Sequence, residues 1–300
     1  MTVHQKIEPA HSVAAAPARR NSFLRHLRHV ATSNPVTAVA FALFFLMVVA
    51  AVLGPVLVPH DPLATNSANA LQPPSWEHWF GTDQLGRDVF SRVVVATRLD
   101  LAISLAAVAL SFLAGSVVGS LAGYYGGWTD RIAGRFLDTI MAFPLFVLAM
   151  GIVAAAGNTI ENVVYATAII NLPFYARMAR AEVALRRDAG FVQAARLSGN
   201  GDLRILAVHI FPNSLPPMMV QVSLNMGWAI LNAAGLSFIG LGVRPPTPEW
   251  GIMVAEGANF IVSGEWWLAL FPGAALMLAV FTFNLLGDGL RDLVDPQRRT

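Results

Sequence analysis

Six stretches of this chain are apolar over about the length needed to cross a bilayer, and that leaves few folds open. They fall at about 36–58, 99–124, 136–156, 163–183, 214–242 and 267–286. At about 1.5 Å per residue, roughly 20 helical residues span a hydrocarbon core about 30 Å thick. Composition agrees: 55% of residues are hydrophobic and only 13% are charged, where a soluble domain carries about 25% charge. The sequence predicts an all-α integral membrane protein with six transmembrane helices.

The basic residues predict orientation. An even number of spans puts both termini on one side. That side then carries Lys6, Arg19, Arg20, Arg25, Arg28, Arg131, Arg135, Arg177, Arg180, Arg186, Arg187, Arg196, Arg204, Arg291, Arg298 and Arg299, sixteen of the twenty Lys and Arg. Arg87, Arg92, Arg98 and Arg244 fall on the other. The positive-inside rule places both termini in the cytoplasm. The expected divisions are a cytoplasmic tail over 1–34, a first helix with its external loop and amphipathic helix over 35–98, a core over 99–288 and a second cytoplasmic tail over 289–300. The first tail does not read as a signal peptide, because the apolar run behind it is too long and shows no small-residue cleavage site.

Smaller features refine this outline. Leu85, Val89, Val93 and Ala96 recur near helical spacing with Arg87, Asp88, Arg92 and Arg98 between them, which predicts an amphipathic helix along the outer surface. Gly115, Gly119, Gly123 and Gly127 fall four apart and predict a smooth ridge for close helix packing. Pro144 and Pro173 should kink their spans. Asn171, Asn225, Asn232 and Asn284 are polar positions within spans, suited to bonds between helices or to lining a pathway. Asp138 and Glu161 should lie near interfaces. The external loop 243–266 contains three prolines in four positions, which favours an extended path, and Trp250, Trp266 and Trp267 suit the membrane boundary.

Catalysis has little to draw on. There is no Cys, so thiolate metal sites and disulfides are excluded. The seven His lack H-E-x-x-H spacing. His60-Asp61 could touch a metal, but a loop His beside an Asp is usually only solvated, and no metal site is expected. A small net charge of +2 spread over several loops gives no nucleic-acid surface. The one Lys, Lys6, follows no glycine-rich phosphate loop, so any ATP must be bound on another chain.

One polar stretch, the loop 187–212, interrupts the spans. Asp188 can cap a helix. Phe191, Ala194, Ala195 and Ser198 then share a face, and Gly199 and Gly201 can end the helix. Asp202 can cap a second short helix that Pro212 closes. These residues suit either an ordinary loop with two helical turns or a docking site for a cytosolic partner.

Gln193-Ala-Ala-x-x-x-Gly199 with Phe211-Pro212 resembles the EAA loop of importer permeases of the ATP-binding-cassette family. Ala194, Ala195, Gly199 and Pro212 match that pattern, whereas Gln193, His209 and Phe211 depart from it. Gly81–Arg92, Gly123–Asp130, Pro245–Gly251 and Gly287–Pro296 resemble further motifs of the C-type permease of dipeptide and oligopeptide importers. The resemblance runs from about Pro35 to Pro296. It implies a type I importer permease that pairs with a sister B-type permease and catalyses nothing itself. It also implies two cytosolic ATPases that carry ATP and Mg2+, with no cofactor in this chain, and an external peptide-binding protein that delivers substrate. The implied ATPase contact comprises Phe191, Gln193, Ala194, Ala195, Arg196, Ser198, Gly199, Asp202 and Pro212. Pro245, Pro246, Pro248, Glu249 and Trp250 are the candidate contact with the binding protein. Nickel, glutathione or another small solute is the alternative cargo. A self-contained channel or secondary transporter is the rival class, for which ion sites within the spans are scarce, and a membrane enzyme lacks any nucleophile–base set.

Overall fold

A computed structural model describes the backbone of residues 35–294 and the side chains of residues 35–291. Most of both expected tails, and every basic residue in them except Arg291, lie outside the described residues.

Among the described residues every regular element is a helix. Helix α1 spans Pro35–Leu57, α2 Val89–Tyr125, α3 Gly127–Met141, α4 Leu145–Ala156 and α5 Ile160–Arg186. A short α6, Gly190–Leu197, precedes α7, Asp202–Phe238. Helix α8, Trp250–Ala258, and α9, Trp267–Val294, complete the chain. By length and composition, α1, α2, α7 and α9 can each cross a membrane, and the bent pair α3–α4 makes a fifth candidate. Their outer faces are apolar: Phe45, Leu113 and Met277 are 69%, 62% and 70% exposed, which suits lipid and not water. The 27-residue α5 covers the expected span 163–183, but Glu161, Asn162, Asn171 and Arg177 interrupt its apolar run.

Several expectations change. The predicted amphipathic helix does not exist as a separate element. Asp88 accepts a hydrogen bond from Ser91 N and starts a single 37-residue helix that runs straight into the second apolar run. Arg87 and Arg92 are buried instead of facing outward. The third apolar run is broken, not kinked: α3 and α4 meet at 86°. Pro144 lacks an N–H and pushes Phe143 out of helical backbone, so the chain turns there. Pro173 stays inside an unbroken α5. Helix α9 continues to Val294, past the expected end of the span. The expected loop 243–266 holds α8, and its Pro245–Pro246 peptide is cis. Trp250 and Trp267 are buried, leaving Trp266 half-exposed.

The glycine ridge joins α2 to α5. A Cβ on Gly115, Gly119 or Gly123 would meet Leu172 O at 2.8 Å, Ala176 O at 2.0 Å or Arg180 O at 2.5 Å. The partner positions also advance by four, so the two helices run parallel with their backbones in contact. Gly127 has nothing near it and a φ of +54°; it begins α3 and is not part of the ridge. Asp138 accepts from Arg177 Nη2 at 2.7 Å, and Arg180 pairs with Asp130, which ties α3 to α5. Asn171 and Asn232 donate to Thr167 O and Trp228 O of their own helices, so their amides do not bridge helices as expected. Asn225 accepts from Gln221 in the same helix.

Candidate functional site

The polar loop 187–201 and the buried groups at the opposite end of the bundle are the two places where this fold organises charge. At the loop end, the backbone enters α6 through Ala189, whose side chain makes no cap; Asp188 does not cap the helix as its sequence position suggested. Instead Gln193 Nε2 donates to Asp188 O at 3.1 Å. The helix ends where Gly199 takes a φ of +80°, a conformation that favours glycine. Asn200 then returns two hydrogen bonds to Ala195 O, from N at 3.2 Å and from Nδ2 at 2.9 Å.

The face that α6 turns inward differs from the one its spacing predicted. Val192 and Ala195 are buried against Tyr124, Val183, Ile205, Leu206 and Ile210. Phe191, Gln193, Ala194, Arg196, Leu197 and Ser198 face out. Leu197, 90% exposed, and Phe191, 44% exposed, give that surface an apolar character. Ala195 is thus part of the seat of the helix and not of its outer contact. Leu197 was missed because helical spacing alone does not say which face the bundle covers.

A chain of polar contacts fixes α6 to two long helices. Arg196 Nη2 donates to Tyr124 Oη at 3.3 Å, with its guanidinium 5.7 Å from the ring centroid. Tyr124 Oη donates to Asp202 Oδ1 at 2.7 Å. Tyr124 ends α2 and Asp202 begins α7. The predicted second short helix is not separate, because Asp202–Phe238 is continuous. A π-helical turn over Ile205–Ile210 lets Phe211 N donate to Leu206 O. This widened turn accommodates Pro212, which has no N–H to give.

The opposite end is a cap of loops over buried charge. Arg87 Nε donates to Asp83 Oδ2 at 2.6 Å, and Arg87 Nη2 lies 3.6 Å from Glu256 Oε2. Arg92 donates to Pro62 O at 3.2 Å and Pro246 O at 3.4 Å, joining two loops to the start of α2. Trp250 Nε1 donates to Val93 O, and Trp267 Nε1 to Thr82 O. Glu249 caps α8 by accepting from Gly251 N and Ile252 N, while Asp100 Oδ2 accepts from Trp250 N. Burial pushes the Glu249 carboxyl above its ordinary range. Of the candidate outer-contact residues, Pro245 and Pro246 were both expected at the surface with Pro248, Glu249 and Trp250, but Pro248, Glu249 and Trp250 are buried. Glu249 and Trp250 therefore build the cap itself, and the exposed residues of that stretch lie within 244–247.

Comparison with known proteins gives this arrangement relatives. Residues 115–300 match the family described as binding-protein-dependent transport system inner membrane component, and residues 22–74 match the N-terminal TM domain of oligopeptide transport permease C. A probable D,D-dipeptide transport system permease protein of Escherichia coli K12 is 44% identical, over 88% of each chain. A dipeptide transport system permease protein of Alkalihalophilus pseudofirmus is 43% identical, over 89% of this chain and 88% of that protein. A glutathione transport system permease protein of Pectobacterium atrosepticum is 42% identical, over 88% of each. Among solved structures, a chain of the MetNI methionine ABC transporter in inward-facing conformations has a TM-score of 0.56 at 16% identity. The match covers 68% of this chain and 96% of that one, and it bears on the fold alone.

Proposed function

The chain belongs to the family of binding-protein-dependent transport system inner membrane components, and from that membership we propose that it is one half of the pore of a peptide importer. As a member it is a multi-pass inner-membrane permease subunit of an ABC transporter and not an enzyme. A sister permease supplies the other half, two cytosolic ATPases bind ATP and Mg2+, and an external binding protein delivers peptide. Six helices cross the membrane, α5 being the polar sixth, with both termini in the cytoplasm; the distribution of sixteen of twenty basic residues supports this.

The observation that carries the coupling role is the seating of α6. Its inward residues are packed and its outward residues are exposed, and Tyr124 links it to both α2 and α7. An ATPase that grips Phe191, Ala194, Leu197 and Ser198 pulls on the ends of two membrane helices at once. Closing the ATPase pair favours one arrangement of the bundle over another because the partner binds the two arrangements unequally. Gly199 forms the turn that lets the chain leave α6 for α7. At the other end, the exposed stretch 244–247 supplies the accessible contact for the binding protein.

Peptide is the cargo most of the named relatives carry, and the glutathione permease at 42% identity keeps that modified tripeptide as the second reading. Co-purification after mild solubilisation tests the assembly. Retention of a sister permease and ATPases, with ATP-dependent uptake of labelled dipeptide into proteoliposomes, is expected. A chain that transports alone would overturn it. Uptake of glutathione in preference to dipeptides would select the second cargo.

A further inference from the structure

Two histidines that the transport reading leaves idle converge on the residue that starts α2. His60 lies just beyond α1 and His78 just before the Gly81–Arg92 stretch, yet their ring centroids are 4.7 Å apart. His78 Nδ1 is 2.9 Å from Asp88 Oδ1, and His60 Nδ1 is 3.8 Å from Asp88 Oδ2. One ligand-capable atom from each of the three side chains lies within 4.8 Å of the other two. His78 and Asp88 are buried, while the His60 side chain is 35% exposed and opens the cluster to solvent on one side. Ser91 holds the carboxylate in place: its N and Oγ donate to Asp88 Oδ2 at 2.8 Å and 2.7 Å. His60 N in turn donates to Ser91 Oγ at 3.3 Å.

Hydrogen bonding does not exhaust this set. A proton on His78 Nδ1 satisfies Asp88 Oδ1, but the buried His60 Nδ1 and His78 Nε2 have no hydrogen-bond partner. Buried polar atoms are ordinarily paired, so the unpaired His60 Nδ1 beside a fixed carboxylate calls for an explanation.

We propose that His60, His78 and Asp88 bind one divalent transition-metal ion of the zinc type, with solvent water on the open side as the fourth ligand. Two imidazole nitrogens and one carboxylate oxygen suit a borderline ion such as Zn2+ or Co2+ and not the all-oxygen preference of Mg2+ or Ca2+. Ligands about 2.0–2.1 Å from a tetrahedral ion stand roughly 3.3 Å from one another. His78 Nδ1 and Asp88 Oδ1 therefore open by a few tenths of an ångström from 2.9 Å, and His60 Nδ1, 3.8 Å from the other carboxylate oxygen, moves inward to complete the set. Ser91 already orients the carboxylate, as groups behind a metal ligand commonly do. The start of α2 repels a cation with roughly half a unit charge, and the full charge of Asp88 outweighs it. A bound ion would clamp both ends of the 60–78 loop to the first turn of α2 and hold the cap closed. Nothing in this depends on the cargo.

The test uses the full chain purified on a tag that contains no histidine and titrated with Co2+ and Zn2+. A visible absorption band of tetrahedral Co2+, displaced by Zn2+, and a melting temperature raised by Zn2+ are expected. His60→Ala removes a ligand from a half-exposed position. It should melt as the parent does without metal, lose the band and bind Zn2+ at least about tenfold more weakly. His60→Gln, closer in size and polarity, should show the same loss. The tail histidines and His209 are the competing source of binding. A band that survives in both variants assigns the ion to them and overturns the site, as does the absence of any tetrahedral band in the parent.

Discussion

Tyr124, in the last turn of one membrane helix, donates its hydroxyl proton to Asp202, the first residue of another, at 2.7 Å. Arg196 of the intervening short helix donates to the same hydroxyl at 3.3 Å. Three elements therefore meet at one oxygen atom. A partner that displaces α6 must either carry both long helices with it or break this contact.

Tyr124→Phe keeps the ring and its packing and removes both hydrogen bonds. A net hydrogen bond contributes about 1 kcal/mol, which is roughly a fivefold change in a conformational equilibrium. In the reconstituted importer, ATP hydrolysis should continue while peptide moved per ATP falls several-fold. An unchanged ratio in Tyr124→Phe would remove the contact from the coupling path.

The two faces of α6 should respond differently to charge. Leu197→Asp changes a side chain that is 90% exposed, so the chain should melt within about 0.5 kcal/mol of the parent and yet fail to hold its ATPases. Ala195→Asp forces a carboxylate into the cluster around Val192 and Ile205 and should cost several kcal/mol of local stability. Thermal melts combined with ATPase pull-down separate the two. Equal loss of stability in both would mean that α6 is turned the other way in the assembly.

Gly119→Val places a branched side chain where Ala176 O already lies 2.0 Å from the position of a Cβ. Overpacking of this kind costs about 1–3 kcal/mol or more, and here it must push the backbones of α2 and α5 apart. Gly134→Ala is the control, since nothing lies within 4 Å of it, and it should be neutral or slightly stabilising. Detergent melts of the two variants check this.

Glu249 sets a pH dependence at the cap. Its carboxyl sits above the ordinary range because burial disfavours the charged form, with the Asp100 carboxyl within hydrogen-bond reach. Folding therefore favours the protonated state. Its contribution to stability is whole below the ordinary carboxylate pKa and is lost as pH rises through the raised value. The melting temperature of the purified chain should fall over that rise, and Glu249→Gln, which keeps an oxygen for the α8 cap, should flatten some of the slope. A slope identical in the variant would place the titration elsewhere.

The long helices were legible from sequence because lipid imposes a length and an apolar composition that few other environments do. The motifs at 81–92 and 193–199 were legible as motifs, but their physics was not. Arg87 and Arg92 sit in a run with amphipathic spacing, and only the cap folded over them turns that face into an interior. Ala195 follows the spacing of an outer face, yet the bundle lies on its side of the helix. Pro144 marked the place of the break between α3 and α4, but hydropathy carries no sign of backbone direction, so the size of the 86° bend was not legible. His60 and His78 become neighbours only when the loop between them closes, which no local pattern reports.

The contact of α2 with α5 also limits how this protein can move. Where glycines let two backbones touch, there is no cushion of flexible side chains to shear. The next register that would fit lies four residues along, about 6 Å away, and every smaller slide drives a Cβ or a carbonyl into the facing backbone. Helices α2 and α5 must then travel as one rigid beam, and the motion that opens a path has to be found at the seams lined by longer side chains.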